Sequence, residues 1–119
     1  MQDFRKLNVW EKAHNLSLDI YRMTKNFPNE ELYGLTSQLR RAVISIPTNL
    51  AEGVGRGTDL DFARFVQIAM GSACETEYLL LLSLDLKYCD KENYEILQKE
   101  VILVKKMLSS LLKKLRADS

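Results

Sequence analysis

Residues able to do proton or metal chemistry are few in this sequence. His14 is the single histidine in 119 residues. Its helical neighbours at i±4, Trp10 and Leu18, neither accept a proton nor ligate a metal. A zinc site takes three or four ligands from His, Cys or carboxylates, so His14 reads as a solvated or packed helix residue. Glu75, Glu77 and Asp85 fall on one stretch, as the acids of a di-iron carboxylate site would, but that chemistry also needs Glu-x-x-His pairs. With no second histidine, the three read as exposed acids or partners of basic side chains. Cys74 and Cys89 are the only cysteines. On one continuous helix their separation would be roughly 22 Å, well beyond the roughly 7 Å Cα limit for a disulfide. Free thiols, buried or half-buried, are expected, and these fit a reducing compartment. No nucleophile–base pair, metal set or cofactor motif emerges. The expectation is a protein that is not an enzyme and that carries no cofactor or metal.

Anion chemistry has more material. Gly53, Gly55 and Gly57 precede a helix with Arg56 between them, an arrangement whose backbone N–H groups could hold a phosphate. The dinucleotide fingerprint needs a preceding strand and the P-loop a closing Gly-Lys-Ser/Thr, and neither is present. A helix stop followed by a loop is the favoured reading, with Arg56 left as an anion contact. Residues 58–89 carry a net charge of −3, including Arg64 and Lys87, whereas residues 99–116 carry +5. Lys99, Lys106 and Lys113 recur every seven residues and so line one helix face, opposite the core seam. That face could follow a phosphate backbone; a merely solvated outer face is the commoner use of such a stripe. Arg40 and Arg41 form a separate pair suited to phosphate or carboxylate, with ion pairing to neighbouring acids as the equal alternative.

Over the whole chain, 17 Lys and Arg face 16 Asp and Glu, a formal charge of +1. Any binding of nucleic acid therefore depends on a local patch. The 46% hydrophobic content is that of an ordinary globular protein and predicts one core, one domain over residues 1–119. The opening Met1–Trp10 has no apolar signal core, and no apolar run approaches the roughly 20 residues of a membrane span. The expected location is the cytoplasm, with no membrane association.

Four elements must position these groups. Asn8 followed by Glu11 resembles a capping box. Val9, Ala13, Leu16, Ile20, Met23 and Phe27 then recur at spacings of three and four, the stripe of a helix over about 8–26 that ends before Pro28. Glu30 and Glu31 place acid at the start of a second helix, about 31–53, with Leu35, Leu39, Ala42, Val43, Ile46 and Leu50 inward. Pro47 removes one hydrogen bond from it and predicts a kink or break near Ser45–Pro47. Thr58 caps a third helix, about 59–87, with Phe62, Val66, Ala69, Ala73 and Leu80 inward. Asp90 caps a fourth, about 91–116, whose Tyr94, Leu97, Val101, Val104, Leu108, Leu111 and Leu115 repeat at 3-4 spacing. A short tail, Ala117–Ser119, follows.

Short connections between such helices predict an all-α, antiparallel up-down-up-down four-helix bundle. A three-helix domain with an extended arm is the alternative. The apolar residues exceed what one bundle hides. Leu79, Leu81, Leu82 and Leu86 surround helix three, and Ile96, Ile102 and Leu103 lie off the seam of helix four. These seven are the expected interface with further copies of the chain, unless loops or the N-terminal residues cover them.

The run Tyr33–Ala42, followed by Ser45-Ile46-Pro47 and Asn49-Leu50-Ala51-Glu52-Gly53, resembles the four-helix-bundle proteins encoded in intervening sequences of bacterial 23S ribosomal RNA genes. The likeness extends back to Phe4–Trp10 and forward through Arg56, Phe62, Arg64-Phe65 and Ile68–Ser72. That family is similar to the accessory variability protein of diversity-generating retroelements, a barrel-shaped pentamer that binds nucleic acid and engages a reverse transcriptase. The resemblance implies a homopentameric ring and a nucleoprotein or adaptor role. It places Arg40, Arg41, Arg56 and Arg64 at motif positions for ligand contact and makes Pro47 and Gly53 architectural. The expected function is a non-catalytic homo-oligomeric adaptor that binds RNA, DNA or an acidic protein partner through basic positions. A protein-only scaffold or accessory subunit is the alternative.

Overall fold

A computed structural model describes residues 3–118. It contains four helices: α1, Asn8–Thr24; α2, Leu35–Val54; α3, Asp59–Asp85; and α4, Lys91–Asp118. Single 3-10 turns at Phe4–Lys6 and Asn29–Glu31 precede α1 and α2, and there is no strand among the described residues. Met1 and Gln2 of the opening stretch, and Ser119 of the expected tail, lie outside the described residues. Ala117 and Asp118 belong to α4 rather than to a tail.

The helix ends follow local chemistry, with three departures from expectation. Leu7, not Asn8, is the N-cap of α1, and no side chain caps it. Asp3 caps the preceding turn instead, accepting a hydrogen bond from the Arg5 N–H at 3.0 Å. α1 stops at Thr24, whose hydroxyl bonds back to the Ile20 carbonyl at 2.8 Å. α2 begins at Leu35 because Glu31 sits in its own turn, from which its carboxylate accepts the Leu35 N–H at 3.1 Å. The acid expected at the start of α2 thus caps it from outside. Thr58 and Asp90 are caps as expected: Thr58 accepts from Asp61 N–H at 3.2 Å and Asp90 from Asn93 N–H at 2.7 Å.

Of the kink or break expected near Ser45–Pro47, no break occurs: α2 runs through Pro47. Its first half is anchored by Leu39, Val43 and Ile46, which are fully buried. Gly53 also lies within α2 rather than in the connection, buried against α3. A Cβ there would stand 2.8 Å from Phe62 Cδ1 and 2.9 Å from Phe65 Cβ, so only glycine allows this approach of the two helices.

Each helix packs on its neighbours in the chain, and α1 also packs on α4, which closes an up-down-up-down bundle of 45 × 23 × 20 Å. The core takes the predicted stripes. Leu16, Ile20, Leu39, Leu50, Val66, Leu80, Val101 and Leu108 have almost no exposure, each contributing on the order of 1.5–3 kcal/mol by leaving water. On α4 the seam is as expected through Leu108 and then passes to Leu112 and Leu115, leaving Leu111 half-buried. A straight helix at 3.6 residues per turn drifts by about 20° per heptad from a 3.5 repeat, so a late step of four restores the inward face.

Candidate functional site

The groups that could do acid–base chemistry stand apart from one another. His14 is exposed and stacks on the indole of Trp10, with centroids 4.9 Å apart and planes 8° from parallel. Glu77 accepts a hydrogen bond from Lys105 Nζ at 2.7 Å, and that bond holds the Lys105 ammonium above its usual range, against an opposing effect of burial. Glu75 and Asp85 are exposed. Among the described residues no group of three or more His, Cys, Asp or Glu is placed to hold a metal. Both cysteines are free, but Cys74 is exposed, contrary to expectation, because its position on α3 turns away from the core. Cys89 is half-buried; burial, and then the charge of Asp90, push its thiol up, which leaves it a poor nucleophile.

The seven predicted basic contacts separate into different situations. Arg40 is half-buried: Nε donates to Thr24 Oγ1 at 2.8 Å, Nη2 to the Tyr21 carbonyl at 3.4 Å, and the guanidinium lies 4.7 Å from the Tyr21 ring. It braces α1 against α2. Arg41 is exposed beside a polar groove shared with Ser45, Ser72 and Glu75. Arg56 and Arg64 meet at Phe65, each guanidinium 4.9 Å from the ring, and Arg64 also pairs with Asp61 at 3.7 Å. Lys99, Lys106 and Lys113 are all exposed on α4.

The antiparallel packing sorts these charges by end. One half of the bundle, residues 3–14, 47–70 and 105–118, holds ten basic and six acidic side chains, a net of +4. The opposite half, residues 15–46 and 71–104, holds seven basic and ten acidic, a net of −3. Arg56, Arg64, Lys106 and Lys113 share the basic end with Lys114 and Arg116, which were not singled out from sequence. Arg116 reaches across to Gln67 Oε1 at 3.0 Å and so ties α4 to α3 at that end. Lys99 stands in the acidic half. The charge asymmetry was hidden in a near-neutral total because stretches distant in sequence combine only after folding.

The apolar surplus is also redistributed. Leu79 is 5% exposed and belongs to the core, so it leaves the expected interface set: it lies beside Ser83 on the same buried arc of α3 as Leu80. Leu82 is half-buried against the core, and Ile102 is half-buried. Leu81, Leu86, Ile96 and Leu103 remain exposed. A second apolar surface, absent from the expectation, runs between α1 and α2. There Trp10, Leu18, Tyr21, Ile44, Pro47 and Ala51 line a groove of about 540 Å³. The spacing of Trp10, His14, Leu18 and Tyr21 carries a second stripe on α1 beside the core one, and it was the available signal.

No described helix is long and apolar enough to cross a membrane. No curated protein matches the sequence. A crystal structure of a protein of unknown function from the S23 ribosomal protein family of Bacteroides thetaiotaomicron is similar in fold, with a TM-score of 0.79 and 28% identity. The likeness covers 88% of this chain and 98% of that one. The sequence also matches the family described as 23S rRNA-intervening sequence protein over residues 5–110. This coverage, from the first 3-10 turn well into α4, takes in Arg56, Arg64, the Pro47 helix and the Gly53 contact and ends before Lys113, Lys114 and Arg116, and the chain belongs to the family of 23S rRNA-intervening sequence proteins.

Proposed function

We propose that this chain is a non-catalytic adaptor that works as a homo-oligomer and meets the phosphate backbone of RNA with the basic end of its bundle. The charge asymmetry carries this reading: a half with a net of +4, rich in exposed Arg and Lys, is an electrostatic footprint that the near-neutral whole conceals. Exposed Leu81, Leu86, Ile96 and Leu103 supply the surface for copies of the chain. A ring of five is the assembly that the likeness to the retroelement accessory protein implies. Aligned copies would join their basic ends into one face and multiply weak contacts. The two free thiols fit the reducing cytoplasm.

Fluorescence anisotropy with structured RNA at rising salt tests the reading, since each neutralised phosphate contact adds to the salt slope. Neutralising Arg56, Lys106 and Lys113 together should flatten that slope, and neutralising Lys99 alone should change it little. No binding at low salt refutes the RNA contact, and a clean monomer at micromolar concentration by light scattering refutes the assembly.

The α1–α2 groove favours one other reading, a scaffold that recognises protein alone. Capture from nuclease-treated native lysate separates the two. A scaffold retains a partner that is lost when Leu18 and Ile44 are changed to polar residues, whereas an RNA adaptor loses its RNA-bridged partners to nuclease.

A further inference from the structure

At the corner where α1 turns toward α2 lies a cavity of about 200 Å³ whose walls include Thr24, Lys25, Asn29, Thr36 and Arg40. That is room for several waters at about 30 Å³ each. Its composition is one-sided: two cationic side chains line it and no Asp or Glu does. Among the described residues the partners of Arg40 are all neutral, namely Thr24, the Tyr21 carbonyl and the Tyr21 ring. Among the described residues its Nη1 donors have no partner, and Lys25 is exposed with no ion pair.

Thr36 is 3% exposed, and its hydroxyl is the one buried side-chain polar atom among the described residues without a hydrogen-bond partner. An unpaired buried hydroxyl costs stability unless something satisfies it. Thr36 is also in the first turn of α2, whose end the Glu31 carboxylate already caps through the Leu35 N–H at 3.1 Å. Thr36 is one of the residues that line the cavity.

We infer that this corner binds a single tetrahedral oxyanion of the phosphate class. Arg40 Nη1 and Lys25 Nζ supply the charge, and the Thr36 hydroxyl gains the acceptor it lacks. The site holds or fails with the protein alone and no RNA present, independently of the adaptor reading.

The test is titration of the full chain with inorganic phosphate, chloride replacing it at constant ionic strength, read by amide and Arg side-chain chemical shifts and by thermal melting. Saturable shifts centred on Thr36 and the Arg40 Nε–H, with a rising melting temperature, are expected. Thr36→Val should melt higher than wild type without phosphate yet bind it about tenfold more weakly, as a lost hydrogen bond to a charged group implies. Lys25→Gln should weaken binding comparably without changing the phosphate-free melt. Absence of saturable shifts overturns the inference, as does equal affinity in wild type and both variants. Dimethyl phosphate identifies the source: competition for the same resonances points to a nucleic-acid backbone, and binding of inorganic phosphate alone points to a free phosphate or a monoester.

Discussion

Ser17 Oγ stands 3.4 Å from the carbonyl of Val43, the acceptor that Pro47 leaves without its helical donor. Pro47 has no N–H to offer the residue four positions earlier. The Ser17 hydroxyl donates chiefly to the Ala13 carbonyl at 2.9 Å, and Val43 receives the weaker arm of that shared bond from α1. That contact gives Val43 a partial replacement donor inside α2, which runs unbroken through the proline.

The substitution Pro47→Ala restores the missing N–H and should stabilise the fold by about 1–2 kcal/mol. That is less than the roughly 3 kcal/mol of an unaccommodated helix proline, because Ser17 already compensates in part. Ser17→Ala should cost about 1 kcal/mol in the native background and less beside Pro47→Ala. Urea denaturation of the four proteins measures that coupling. Strict additivity would show that the Ser17–Val43 contact contributes nothing.

Lys87 has φ of 65°, the one positive value at a non-glycine residue among those described. It closes α3 with paired bonds, Tyr88 N–H to the Ser83 carbonyl and Lys87 N–H to the Leu84 carbonyl, both at 2.9 Å. Glycine is favoured at that left-handed position of a Schellman end. Lys87→Gly should therefore raise stability by about 0.5–1 kcal/mol, and Lys87→Ala should not. Denaturation midpoints decide between them.

Gly53 and Gly71 should respond oppositely to alanine. A methyl at Gly53 drives into Phe62 and Phe65 and should cost about 1–3 kcal/mol as the helices part. Gly71 lies exposed within α3 with nothing within 4 Å of a added Cβ. Gly71→Ala should add about 1 kcal/mol of helix stability. The same melting series reads both signs.

Alkali should unfold the protein through groups that bind protons more tightly in the folded state. Glu31, accepting the Tyr88 hydroxyl at 3.0 Å, raises Tyr88 above its usual range, and burial raises Tyr94 and Cys89. The bond to Glu77 raises Lys105. Their contribution is complete below the unfolded-state values and lost as pH climbs through the folded ones. Stability should therefore fall from about pH 8.5 upward, first through the thiol and then through the phenols and the ammonium. Tyr88→Phe should remove one late-ionising tyrosine from an ultraviolet titration and reduce the alkaline slope.

Within the family, the sequence by itself determined four helices, their inward faces and two of their caps. Those features depend on contacts three or four residues apart: Val9, Ala13, Leu16 and Ile20 share a face whatever else the chain does, and Thr58 caps a helix three residues ahead of it. Tertiary structure alone decided which faces meet. Leu79 turned inward on the second half of α3, apolar nearly all round, where periodicity has no contrast to offer. The basic end, the α1–α2 groove and the Thr36–Arg40 corner each join residues from separate helices. Their existence rests on helix order and crossing, which no single stretch of sequence encodes.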